Sequence, residues 1–347
     1  MTSVIPNPTA VDPARVIADP GYGEAFTDHM VTADWSPEKG WHNVGLRTLE
    51  NLTLHPGTLG LHYGQVIFEG LKAHRLADGT VQAFRPLDHA RRFQRSARRL
   101  AMPELPEELF VEAIDRLVEA DGAMLSDDPT HSLYLRPLMF ATDVTLMLRP
   151  STTFRFLLMA FCAAGFFGDD VESVSAWVSR DYVRAFPGGT GDVKVAGNYA
   201  GSFAAQKLAQ DAGCQQVLWL DATERRYIEE MGGMNLFFVR GTGEGAEIVT
   251  PRLTGTLLPG VTRDTVLRLT AERGYRPREE RIELEQWLAQ CADGTVSEVF
   301  ACGTAAVITP VGAIRDGERT WTIGTGRPGS VTLDMHRALV DHQQGRR

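Results

Sequence analysis

The sequence lacks closely spaced cysteines, long apolar runs, a basic tract and any internal repeat, and each absence removes a class of function. Its four cysteines, Cys162, Cys214, Cys291 and Cys302, stand far apart without C-x-x-C spacing, which argues against a zinc site or a disulfide framework and leaves buried reduced thiols. None of the nine histidines forms an H-x-x-x-H pair and no carboxylate run matches an EF-hand loop, so nothing calls for a metal. No stretch approaches the roughly 18 unbroken apolar residues of a membrane span. Met1 to Ala18 has neither the charged nor the apolar region of a signal peptide, so the expected compartment is the cytoplasm, with no membrane partner. The net charge is -9, and the only basic concentration, Arg91 to Arg99, reads as one helix, so no nucleic-acid partner is expected.

What is present is 347 residues, 43% hydrophobic and 23% charged, enough for a sizeable core and two lobes. Asp88 precedes a helix whose Phe93, Ala97 and Leu100 recur at helical spacing until Pro103, and a second helix carries Leu109, Phe110, Ala113, Ile114, Leu117 and Val118 up to Gly122. Alternation over Ser132 to Met139 predicts a strand with Tyr134 and Arg136 on one face and Leu133 and Leu135 on the other, and Pro137 suggests an edge or a strand end. Thr153 to Ala163 reads as a strand buried on both sides. The small and acidic residues of Ala164 to Asp170 then mark an inter-domain loop. This gives a small N-terminal α/β domain over 1–163, a loop over 164–170 and a larger C-terminal α/β domain over 171–347. In the latter, strands are expected at Val174 to Val178, Gln216 to Leu220, Met234 to Val239 and Ala246 to Thr250, with helices near Asn198 to Ala212 and Thr262 to Arg273. The tail after Arg337 is polar enough to fray.

Lys194 lies in Pro187-Gly-Gly-Thr-Gly-Asp-Val-Lys-Val-Ala-Gly-Asn-Tyr199, where glycines let the backbone turn and approach a ligand. On its own, a lysine beside such a loop is more often a solvated surface residue. Val193 and Val195 flank it where a phosphate loop needs Gly and Ser/Thr, so nucleotide binding fails on spacing. Covalent chemistry remains, because a lysine amine can hold an aldehyde cofactor as a Schiff base. Such a cofactor needs an acid for its ring nitrogen, and Glu229 and Glu230 precede a glycine turn and an apolar strand; alternation does not choose between them. It also needs phosphate contacts. Leu258-Pro-Gly-Val-Thr-Arg263 supplies a turn and a helix start at Val261 and Thr262 whose N–H groups attract anions, and Ala301 to Ala306 is a second small-residue turn. Each feature alone has a plain structural explanation, and spacing does not single out one arginine of the helix after Asp88.

Taken in order, these segments resemble the branched-chain amino-acid aminotransferases of the class IV pyridoxal-phosphate family, from about Gly21 to Pro310. The blocks are Phe26-Thr-Asp-His-Met30, Leu61 to Lys72, Tyr134-Leu-Arg-Pro137, Lys194 to Tyr199, Glu230 to Asn235, Leu258 to Arg263 and Gly303-Thr-Ala-Ala306. The resemblance implies the D-amino-acid aminotransferase-like fold (fold type IV), a two-lobed α/β arrangement, with pyridoxal 5'-phosphate as cofactor. It makes Lys194 the Schiff-base lysine and acid–base catalyst and Glu230 the ring-nitrogen partner, with Tyr199 on the cofactor phenolic oxygen. Arg92, Val261, Thr262 and Thr304 then hold the phosphate. Tyr134, Arg136 and Ala305 handle the substrate's carboxylates, and Tyr22, Phe68 and Phe166 line an apolar side-chain pocket. Tyr63 reaches in from a partner subunit, which implies a homodimer with the site at its interface. The implied reaction moves the amino group of leucine, isoleucine or valine to 2-oxoglutarate.

Three departures from the family pattern leave room for another hydrophobic or β-branched substrate in a specialised pathway. Asp143 to Leu148 is bulky where many relatives carry Pro and Gly; Phe166 and Gly168-Asp-Asp170 alter the inter-lobe loop; and no Trp-Met segment follows Gln344. A non-catalytic ligand-binding protein of the same fold would be attractive had Lys194, Glu230 or Arg92 been replaced, and all three are present.

Overall fold

The computed structural model describes residues 20–24, 26–164 and 171–346. The chain separates into two compact units, Met1–Phe166 and Phe167–Arg347. The candidate Phe166 and most of the expected inter-domain loop lie outside the described residues.

Unit 1 contains β1 (Phe26–Ser36), β2 (Gly40–Thr48), α1 (Leu59–Tyr63), β3 (Val66–Phe68), β4 (Leu71–Arg75), β5 (Val81–Ala83), α2 (Pro86–Arg99), α3 (Glu107–Asp121), β6 (Ser132–Ala141) and β7 (Phe154–Ala163). Its sheet runs β2-β1-β7-β6-β4-β5, with β3 sharing the β6 edge, and every pairing is antiparallel. The apolar stripes of α2 and α3 meet β7 through Phe93, Phe110 and Phe156, whose ring centroids lie 5.6 to 6.4 Å apart. Pro137 is not at an edge. It lies inside β6, opposite Leu158, and its carbonyl accepts the Glu69 N–H at 2.8 Å. A residue's N and O point to the same side of a strand, so the missing N–H faces the break between β3 and β4, where no ladder bond is lost.

Unit 2 continues with β8 (Val174–Val178), α4 (Gly197–Ala200), α5 (Phe203–Asp211), β9 (Gln216–Leu220), β10 (Tyr227–Met231), β11 (Met234–Arg240), β12 (Glu247–Pro251) and α6 (Val261–Glu272). It ends with β13 (Arg276–Glu280), β14 (Ile282–Glu283), α7 (Leu284–Ala292), β15 (Val296–Gly303), β16 (Val307–Asp316), β17 (Arg319–Thr322) and α8 (Ser330–Gln343). The strand order is β13-β12-β11-β15-β16-β8-β9-β10-β14, and β10 also pairs with β11, so six strands from β11 round to β10 close on themselves. β11 carries side chains to both faces: Leu236 and Phe238 enter one core with Trp287, and Phe237 and Val239 enter another with Val266, Phe300 and Leu339.

Two expectations are corrected here. The tail does not fray after Arg337, because α8 continues to Gln343 with Leu339 in the core and Gln343 and Gln344 buried. The helix expected over Asn198 to Ala212 is two helices, interrupted at Gly201 and Ser202, where the Ser202 hydroxyl donates to the Tyr199 carbonyl at 2.7 Å.

Candidate active site

In unit 2 the cluster is built around β10. Glu230 lies inside this strand, opposite Asn235 of β11, which in turn lies opposite Cys302 of β15. That register carries the acid, the Asn235 amide and the turn after Gly303 across three adjacent strands. The Glu230 carboxylate is buried; its Oε1 accepts the Leu258 N–H at 2.7 Å and the Asn235 amide at 3.1 Å. Asn235 also donates to the Leu258 carbonyl, so the Leu258 to Val261 turn is pinned to the acid. Gly260 is required there, since a Cβ would lie 2.2 Å from Asn235 Oδ1. This turn starts α6, whose first turn has no side-chain cap, with Val261 and Thr262 buried. An anion completes such a helix start.

Arg184, which nothing in the sequence pattern singled out, is the cation beside Glu230. Its Nη2 donates to the carbonyls of Gly191 and Thr256, each at 2.7 Å, and its Nε lies 2.7 Å from Glu230 Oε2 without the alignment of a hydrogen bond. Burial pushes the Glu230 carboxyl above the ordinary range, opposed by Arg184, the Leu258 N–H and the charges of Lys194 and Arg263. Lys194, in the loop that leads into α4, donates from Nζ to the hydroxyl of Tyr199 within that helix at 2.7 Å. Thr304 and Ala305 occupy the half-buried β15–β16 turn, followed by Val307 at φ 54°, a conformation β-branched residues rarely adopt.

In unit 1, Tyr134, Arg136, Tyr22 and Phe68 gather on the sheet face opposite α2 and α3. Tyr134 stacks on Phe161 at 4.8 Å, and Tyr22 meets both rings edge-on at 5.8 and 5.3 Å. The Arg136 guanidinium lies 5.1 Å from the Phe68 centroid, and its Nη2 is 3.4 Å from the Tyr134 hydroxyl. Gly70 makes room for that hydroxyl, which would lie 2.0 Å from a Cβ at this position. Burial, then the neighbouring Tyr134, pushes the Tyr22 phenol up. Tyr63, at the end of α1, is exposed and donates to the Leu146 carbonyl at 2.6 Å.

Burial separates Arg92 from the exposed Arg91, Arg98 and Arg99 of α2. It pairs side-on with Glu69, Nε to Oε1 at 2.7 Å and Nη2 to Oε2 at 2.8 Å, while His89 Nδ1 lies 2.9 Å from Oε2. Burial alone would raise the Glu69 carboxyl, but the Arg92 charge and hydrogen bond, with His89, hold it well below the carboxylate range. Glu69 was visible in the Phe-Glu-Gly block without a role; a buried acid–base pair has no signature in periodicity.

The model of the amino-transferase class IV family matches residues 66–314. The chain belongs to the class IV aminotransferases. It is 49% identical to the branched-chain-amino-acid aminotransferase of Mycolicibacterium smegmatis, over 97% of this chain and 92% of that protein. It is 50% identical to a probable branched-chain-amino-acid aminotransferase of Streptomyces coelicolor, over 96% and 91%. Among solved structures, the Escherichia coli branched-chain amino acid aminotransferase superposes with a TM-score of 0.76 at 29% identity, covering 92% of this chain and 95% of that one. The T.th. branched-chain amino acid aminotransferase, solved in complex with N-(5'-phosphopyridoxyl)-L-glutamate, gives 0.74 at 30% identity, over 91% and 95%. Class IV aminotransferases use pyridoxal phosphate. The donor set in unit 2 suits that group: a buried carboxylate with a raised pKa for a ring N–H, a lysine amine for an aldehyde, and an uncapped helix start for a phosphate. Among the described residues no group of His, Cys, Asp and Glu could hold a metal ion, and no helix is long and apolar enough to cross a membrane.

Proposed function

We infer that this chain is a pyridoxal-phosphate-dependent transaminase that moves the amino group of L-leucine, L-isoleucine or L-valine to 2-oxoglutarate, giving 2-oxo acids and glutamate. The observation that carries the reading is the unit 2 cluster, in which Lys194 meets Tyr199 and a buried Glu230 is tied to the turn that starts α6. When bound, the cofactor supplies an aldehyde that takes up the amino group and a protonated ring that accepts the electrons released at the substrate α-carbon. Lys194 would hold the cofactor through its aldehyde carbon and, as an amine, would move the proton at the substrate α-carbon. Tyr199 orients that amine. Glu230 keeps a proton on the ring nitrogen, since a carboxylate deprived of water gains most from a cationic N–H. The amides of Val261 and Thr262, with Thr304 and Arg92, hold the phosphate.

For substrate, Tyr134 and the Ala305 amide take the α-carboxylate, and Arg136 takes the second carboxylate of the acidic co-substrate. Tyr22, Phe68 and Phe166 line the apolar side-chain pocket. Tyr63 serves a partner subunit in a homodimer, a reading supported by exposed apolar residues on unit 1: Leu61, Val144, Leu146, Met147 and Leu148, the last 86% exposed. The same exposed loop favours a second reading, another hydrophobic or β-branched L-amino acid. The four free cysteines suit a reducing compartment, the cytoplasm.

The test is a panel of L- and D-amino acids with 2-oxoglutarate, scored by glutamate release. The branched-chain L-amino acids should be the best donors and the D-enantiomers inert. Activity confined to D-amino acids, or none with any donor, contradicts the reading.

A further inference from the structure

The proposed chemistry uses one face of β10 and leaves the other unexplained. Alternation turns Glu229 away from Glu230, yet Glu229 is also only 5% exposed. The Thr256 hydroxyl donates to its Oε1, and its Oε2 is buried without a hydrogen-bond partner among the described residues. A native buried carboxylate oxygen with nothing to accept from calls for an occupant. Burial holds this carboxyl above the ordinary range, against the Thr256 hydrogen bond.

Glu229 borders a cavity of about 170 Å³ within unit 2. Ile228, Pro251 and Leu257 give it apolar walls; Arg252 and Arg281 also line it, as do Asp221, whose carboxylate accepts backbone N–H groups, Glu224, paired with Arg281, and Glu280, paired with Arg240. Arg281 is engaged, 3.6 Å from the Tyr227 ring centroid and paired with Glu224 at 3.2 Å. Arg252 is exposed and makes no ion pair among the described residues. An acceptor for an ammonium, a guanidinium for a carboxylate and apolar walls fit a small zwitterion with a hydrocarbon side chain.

We propose that this cavity is a second ligand site that binds a free hydrophobic α-amino acid, its ammonium on Glu229 and its carboxylate on Arg252. A short chain of contacts links it to the cofactor acid: Thr256 bonds Glu229 through its hydroxyl and Arg184 through its carbonyl, and Arg184 lies against Glu230. The second site therefore stands one short chain of polar contacts from the cofactor acid. The identity of that amino acid as substrate or product rests on the function proposed above.

The experiment measures L-leucine binding by calorimetry to holoenzyme whose reactive lysine has been blocked by borohydride reduction. The parent should bind one leucine per chain, and Glu229→Gln and Arg252→Ala should each weaken binding at least about tenfold, one lost charge-assisted contact apiece. Arg252 is exposed, so its variant reports even if Glu229→Gln folds poorly. No binding to the parent, or unchanged affinity in both variants, overturns the site. Glutamate release from L-leucine and 2-oxoglutarate is scored in parallel on unreduced protein. Transamination without this binding overturns the second site alone; Glu229-dependent binding without transamination overturns only the proposed function.

Discussion

Each unit buries a glutamate against an arginine, and the two pairs are held in opposite ways. In unit 1, Glu69 receives a side-on Arg92 through two hydrogen bonds and a third contact from His89, and its carboxyl is held far down. In unit 2, Glu230 receives one amide N–H, one asparagine and an Arg184 nitrogen that is close but not aligned, and its carboxyl is pushed up. Glu69 is a saturated structural acid that fixes Arg92. Glu230 is as buried but under-compensated, and a protonated ring nitrogen would supply the missing cation.

That contrast can be broken in several ways, the largest first. Lys194→Ala removes the proposed proton carrier and should lower kcat by at least about 1,000-fold with the fold intact by circular dichroism. Survival of appreciable turnover would move the chemistry away from this cluster. Glu69→Ala strands the Arg92 guanidinium in the interior and should cost about 3–5 kcal/mol in urea denaturation. In Glu230→Gln the balance reverses: cofactor-free protein should keep its stability within about 1 kcal/mol, while turnover falls roughly 100-fold. Gly260→Ala, which places a methyl against Asn235, should cost about 1–3 kcal/mol and loosen the α6 turn.

The two acids should also separate by pH. The contribution of Glu69 is present above the ordinary carboxylate range and is lost as the pH falls towards its depressed folded value. Glu230, with its raised value, costs the cofactor-free protein stability as the pH rises from the ordinary carboxylate range through its folded value. Comparing Glu230→Gln with its parent across this range should show the variant gaining relative stability with rising pH, and added pyridoxal phosphate should narrow the difference.

Much of this was legible in the sequence, for identifiable reasons. Long periodic segments such as Pro86–Arg99, Glu107–Asp121 and Phe154–Ala163 were recognisable because one stripe or both faces must be apolar. The strand Tyr227–Met231 was not, because two adjacent acids, both buried in the fold, interrupt the apolar pattern that marks a core strand. The Pro137 reading failed because a gap between two partner strands is a tertiary fact. The family resemblance pointed to Lys194, Tyr199 and Glu230, whereas Arg184 and the Glu69–His89 support of Arg92 depend on long-range pairing that no local spacing encodes.

The account turns on Lys194 as the residue that holds the cofactor. Protein saturated with pyridoxal phosphate, reduced with borohydride and digested should carry the phosphopyridoxyl mass on the peptide containing Lys194 and lose its visible absorbance. The label on any other lysine, or no label at all, would contradict it.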